Sequence, residues 1–106
     1  MSKSFRSQLV LAIILVVAGT VSLAETRGEV VYQRACKMCH GSTGAADTPT
    51  ARMLKVKPAS DPDMLKLSDA QMFLSIRNGK GTMKPMPSLS DTEIKDSVAY
   101  FRSLGK

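Results

Sequence analysis

Tryptophan is absent from this chain, histidine occurs once, and cysteine occurs twice. These shortages exclude much before any motif is read. A disulfide between residues three apart closes a tiny loop and contributes little, so the chain is not a disulfide-stapled scaffold. Structural zinc usually takes four protein ligands, and no second Cys or His pair exists to complete a set. No alternating β-branched run is long enough to specify a strand. That also removes the βαβ setting expected for a thiol redox motif. The nine acidic residues are scattered, and no paired carboxylates or activated nucleophile can be picked out. Beyond residue 24 the aromatics are only Tyr32, Phe73, Tyr100 and Phe101. So small a set buries a modest core, and domains of that kind often need a metal, staple or cofactor.

The N-terminus has the anatomy of a secretory signal peptide: Lys3 and Arg6, the apolar run Leu9 to Val17, then small residues, with Ser22 and Ala24 ahead of Glu25. The rival reading is an uncleaved N-terminal anchor, for which the run is shorter than the roughly 20 residues that span a bilayer unless Ala18 to Leu23 is recruited. No cysteine follows the cleavage point to carry a lipid. The expectation is a cleaved segment 1–24, one domain over 25–106, and a periplasmic location without stable membrane insertion. Thirteen of the 15 Lys and Arg lie in that domain with all nine acidic residues, leaving it at +4.

Helix signals dominate the rest. In LSDTEIKDSVAYFRSLGK, Ser90 and Glu93 form a capping box, Leu89 and Ile94 stand at staple positions, and Ile94, Val98 and Phe101 share a face. This predicts a helix over 91–104 ended by Gly105. The same grammar recurs in LSDAQMFLSIRNG, with Ser68 and Gln71 as the box, Leu67 and Met72 as the staple, and Gly79 as the stop. A first helix is expected over 29–39, and a short turn after Thr48 with Pro49 at its first position. Segments 40–47, 55–64 and 79–88 are rich in Gly, Pro and Ser and read as loops. The fold class is all-α, with three to four helices and long loops.

The two cysteines and the histidine fall in one pentapeptide, CKMCH at residues 36–40. On a helix, Cys36, Cys39 and His40 share a face. Two thiols so spaced can each add across one vinyl group of haem, and the next imidazole is carried beneath the iron. This is the reason Cys-x-x-Cys-His reads as covalent c-type haem attachment. A redox dithiol is the competing reading, and it predicts a haem-free product. A second axial ligand would have to be methionine, since no second histidine exists. Met83 and Met86 sit on the 79–88 loop; Met53, Met64 and Met72 read as packing on helix faces.

Cys-x-x-Cys-His, then N-G-K-G-x-M, then L-S-D-x-E-I and Ala99-Tyr100 together resemble the small class I c-type cytochromes of bacteria, over Gly28 to Leu104. The resemblance implies one covalent haem c per chain, bound through Cys36 and Cys39, with iron held by His40 and a methionine. Met83 keeps the family's spacing from Gly79 and Gly81. Lys84, however, separates it from Pro85, and the Met-Pro pair falls at Met86-Pro87, so Met86 is the alternative. The resemblance also implies that Gly28, Tyr32 and Tyr100 mark a crossing of the terminal helices. It further implies that the histidine's outer N–H meets a proline carbonyl, with Pro49 favoured over Pro58.

Histidine and thioether on both axial positions leave no site for a substrate and raise the potential. The expected function is one-electron transfer, not enzymatic catalysis. The partners would be redox proteins with acidic surfaces (an oxidase, a reductase or another cytochrome), met by a monomer through Lys37, Lys55, Lys57, Lys80 and Lys84. Nucleic acid is not an expected partner. The alternative is a weakly ligated or five-coordinate haem acting as a gas sensor or low-activity peroxidase.

Overall fold

A computed structural model of the protein describes residues 22–106. Most of the expected signal peptide, residues 1–21, lies outside the described residues. Six helices follow in order: α1 Leu23–Ala35, α2 Lys37–His40, α3 Pro49–Leu54, α4 Pro62–Leu65, α5 Asp69–Asn78 and α6 Asp91–Leu104. Among the described residues there is no strand, only an isolated bridge between Lys80 and Met83. None of these helices is long and apolar enough to cross a membrane.

The two expected capping boxes are present in both directions. Ser68 N–H donates to Gln71 Oε1 at 2.8 Å, and Gln71 N–H returns to Ser68 Oγ at 3.1 Å. At α6 the same pair of bonds joins Ser90 and Glu93 at 3.0 and 3.1 Å. Each box satisfies two donors that a helix start leaves orphaned. The residues flanking them, Leu67, Met72, Leu89 and Ile94, all reach one core with Val31 and Val98. Thr48 caps α3 through Ala51 N–H, and Pro49 is its first residue, as expected.

Three boundaries differ from the sequence reading. Helix α1 starts at Leu23 rather than near Glu29, with Ser22 accepting from Glu25 N–H. These first residues belong to the segment expected to be removed, and cleavage after Ala24 would leave the helix from Glu25 on. It then breaks at Cys36, where the N–H groups of Cys39 and His40 both converge on the Cys36 carbonyl, at 3.3 and 3.0 Å. That shared acceptor tightens the chain into the separate turn α2. The 55–64 loop also yields to a short helix, α4, at its end; Asp61 caps it through Asp63 N–H and Pro62 supplies its first residue.

Helices α1 and α6 form the main packing of the molecule. A Cβ on Gly28 would lie 2.0 Å from the Asp96 carbonyl oxygen and 3.0 Å from Tyr100 Cβ, so the two backbones touch there. Tyr32, 1% exposed, packs edge-on to Tyr100 with ring centroids 5.2 Å apart. Arg27 bonds the buried Asp96 at 3.2 Å, and Arg34 bonds Glu93 at 2.8 Å. The expected crossing at Gly28, Tyr32 and Tyr100 is thus the one observed. Helix α5 packs on α6, and Arg102 ties α6 to Asp69 and to the Leu67 carbonyl.

Candidate haem-attachment site

Cys36, Cys39 and His40 are brought together at the point where α1 gives way to α2. Cys36 N–H still bonds the Tyr32 carbonyl at 2.9 Å, so the site is a direct extension of the helix that crosses α6. Both thiols are free and half-buried. Burial, with a lesser contribution from Cys39, pushes the Cys36 thiol up to about 11. Redox dithiols work instead through a thiol of lowered pKa, so this environment disfavours the dithiol reading. Among the described residues no group of three His, Cys, Asp or Glu side chains could hold a metal ion by itself.

His40 is held by its surroundings more than by hydrogen bonds. Its ring packs edge-on to Phe101 of α6 at a centroid distance of 5.3 Å. Burial depresses its pKa, keeping the imidazole neutral, which is the form that ligates metals. Its Nδ1 is buried and has no hydrogen-bond partner. The expected contact to Pro49 or Pro58 is therefore absent. Pro49 opens α3, and its carbonyl runs along the helix axis in the manner of any first-turn residue. The donor set fits haem: two unpaired thiols three residues apart and one neutral imidazole beside them, on a short helix and the Cys36 that opens it.

The loops around this turn are pinned from several sides. Tyr32 Oη donates to the Gly41 carbonyl at 2.6 Å in a buried bond, and Gly41 takes φ +83°. Ala46 N–H donates to the His40 carbonyl at 2.9 Å. Thr48 Oγ1 donates to the Met38 carbonyl at 2.8 Å, joining α3 to α2. The far end of α3 is reached in turn by the methionine loop, where Thr82 Oγ1 donates to the Leu54 carbonyl at 3.3 Å.

The two methionines of that loop have different surroundings. Met86 packs against the core of Val31, Met72, Leu89, Ile94 and Val98, and its N–H bonds the Ile76 carbonyl at 2.9 Å. Met83 is half-buried and stands apart from that core, in a tight turn whose two ends, Lys80 and Met83, exchange backbone bonds of 3.0 and 2.9 Å. Of the other methionines, Met72 is buried in the core, whereas Met53 on α3 is 75% exposed and does not fill the packing role expected of it.

A surface groove of about 720 Å³ lies between α5 and α6, lined by Phe73, Leu74, Lys95 and Ala99 among others. It contains none of Cys36, Cys39, His40 or Met83, and it is separate from the attachment site. Sequence reasoning passed over Phe101 as a partner of His40, and over Thr48 and Thr82 as loop ties. A face pattern announces Phe101 only as core, and a hydroxyl's distant carbonyl partner leaves no local signal.

The small helical fold around this turn is that of a c-type cytochrome, an electron-transfer class that carries covalently bound haem c. The chain belongs to the family described as cytochrome c oxidase, cbb3-type, subunit III, whose model matches residues 24–101. Among solved structures it is similar to the KustC0563 c-type cytochrome, with 29% identity and a TM-score of 0.68 over 74% of this chain and 98% of that one. No curated protein matches it.

Proposed function

We propose that the protein is an exported one-electron carrier with one haem per chain, its iron ligated by His40 and Met83. The observation that carries this reading is the turn at Cys36–His40, where two free thiols and a half-buried, neutral imidazole stand together at the end of the helix that anchors the fold. When bound, the haem supplies a single iron-centred redox couple. The chain's own part is to hold the imidazole against Phe101, keep water from it, and present a thioether from the 79–88 loop. Met83 is the favoured thioether because Met86 is already committed to the core.

Docking by charge is part of the same proposal. Lys37, Lys55, Lys80 and Lys84 are exposed and form no ion pair among the described residues. Lys57 is less available, since it pairs with Asp63 at 2.6 Å. The partner would be an acidic redox protein, including an oxidase of the kind the family's name records, met by a monomer in the periplasm.

The test is the visible spectrum of the reduced protein with and without carbon monoxide. A sharp low-spin c-type spectrum that carbon monoxide leaves unchanged supports the carrier. A spectrum that shifts with carbon monoxide favours a ligand-binding protein, and a haem-free product would sink the proposal altogether.

A further inference from the structure

The turn that carries Met83 is rigid within itself but loosely held by its neighbours. Lys80 N–H donates to the Met83 carbonyl at 3.0 Å and Met83 N–H to the Lys80 carbonyl at 2.9 Å, closing the turn. It springs from Gly79, at φ +79°, where a Cβ would come within 2.8 Å of the Met83 carbonyl oxygen and 3.0 Å of Pro85. Only glycine lets the turn fold back so closely. On both sides the chain is tied to α5: Gly79 N–H bonds the Ser75 carbonyl and Met86 N–H the Ile76 carbonyl, each at 2.9 Å. By those ties alone the turn hangs from one wall.

Among the described residues, one hydrogen bond leaves the segment Lys80–Pro85 for another part of the fold: Thr82 Oγ1 to the Leu54 carbonyl. Leu54 is the last residue of α3, where carbonyls lack intrahelical partners. Lys55 follows at φ +56° and sends its own N–H back to Ala51 and Arg52, and Val56 N–H also returns to Ala51. The helix end is thereby closed without using the Leu54 carbonyl, which remains free to accept from the hydroxyl. Helix α3 is in turn fastened to the attachment turn through Thr48 and the Met38 carbonyl. A strut therefore runs from the Cys36–His40 turn through α3 to the residue immediately before Met83.

We propose that Thr82 is a positioning residue for Met83, its hydroxyl latching the methionine turn to the C-terminus of α3 and so governing how often the sixth position of the iron opens. This rests on the reading of Met83 as the axial ligand. Thr82 is exposed, so its replacement leaves the core intact. The bond is single, neutral and, at 3.3 Å, longer than O–H···O bonds usually are, so it is weak and its loss should raise the open population by no more than about two- to tenfold.

The experiment compares haem-loaded wild type, Thr82→Val and Thr82→Ser. Two readouts are taken: the rate at which added imidazole displaces the methionine in the oxidised protein, and hydrogen exchange of the Met83 amide. Thr82→Val should speed both by about two- to tenfold, with exchange in α6 unchanged, and Thr82→Ser should return both towards wild type. Equal rates in wild type and Thr82→Val would overturn the latch. So would a Thr82→Ser variant as fast as Thr82→Val, since the methyl group rather than the hydroxyl would then be responsible. Met83→Ala separates the two layers. If it keeps the sulfur–iron charge-transfer band, the ligand reading fails and the latch with it. If it loses the band while Thr82→Val stays at wild-type rates, the latch alone fails.

Discussion

Gly28 and Asp96 meet backbone against backbone, and the contact leaves no volume for even one methyl group. Gly28→Ala would place a carbon 2.0 Å from a carbonyl oxygen, so the helices must separate and the Arg27–Asp96 bond and the Tyr32–Tyr100 contact loosen with them. The expected loss is about 3 kcal/mol, the upper end for overpacking, read as a large fall in the melting temperature of the haem-loaded protein. An unchanged melting temperature would mean the two helices can slide. Tyr32→Phe is a gentler change in the same place. It keeps the ring but removes the donor to the buried Gly41 carbonyl, costing about 1 kcal/mol. Because Gly41 directly follows His40, the same variant should also broaden the haem bands; a purely thermal effect would show that Gly41 does not steer the imidazole.

At the level of elements, the starts of α3, α5 and α6 were legible in the residues themselves, whereas the crossing of α1 and α6 was reached only through the family resemblance. Ser68 with Gln71 and Ser90 with Glu93 carry donor and acceptor within one turn, so the cap can be read wherever the residues stand. Ser68→Ala and Ser90→Ala should each cost about 1 kcal/mol, measurable by denaturant titration of the haem-loaded protein. Gly28 sits inside α1 because its bare Cα admits the Asp96 backbone, while the early start of α1 comes from the Ser22 cap. Segment 55–64 reads only as a loop, because the Asp61-Pro62 pair that opens α4 is equally at home in a turn. At the site, Cys36, Cys39 and His40 could be named because they fall within one pentapeptide. The orphaned Nδ1 of His40 could not, since it depends on where α3 points the Pro49 carbonyl. Glu93 adds a pH dependence to its element. The Ser90 N–H, and then Arg34, hold its carboxyl below the ordinary 4.5. Its charge therefore contributes stability fully above 4.5, and that contribution is lost as pH falls through the depressed value. Glu93→Gln keeps the capping oxygen without the charge. Its melting temperature should lie below wild type at neutral pH and converge with it in acid; a gap constant with pH would refute the charge's role.

For the whole molecule, the proposed docking through Lys37, Lys55, Lys80 and Lys84 has a kinetic signature. Second-order electron transfer with an acidic partner should slow steeply as ionic strength rises, because steering between exposed charges is screened within about 8 Å at physiological salt. Rates indifferent to salt would remove the charged docking surface while leaving the haem site untouched. The joining of α1 to α6 has a bearing on the order of events during synthesis. Helix α1 and the attachment turn are made first among the described elements, but their packing partner is the last helix to emerge. Until Phe101 arrives, nothing covers the His40 ring from that side. The nascent chain thus leaves that face of His40 open until α6 is made, and the packing of α6 on α1 is the step that covers it.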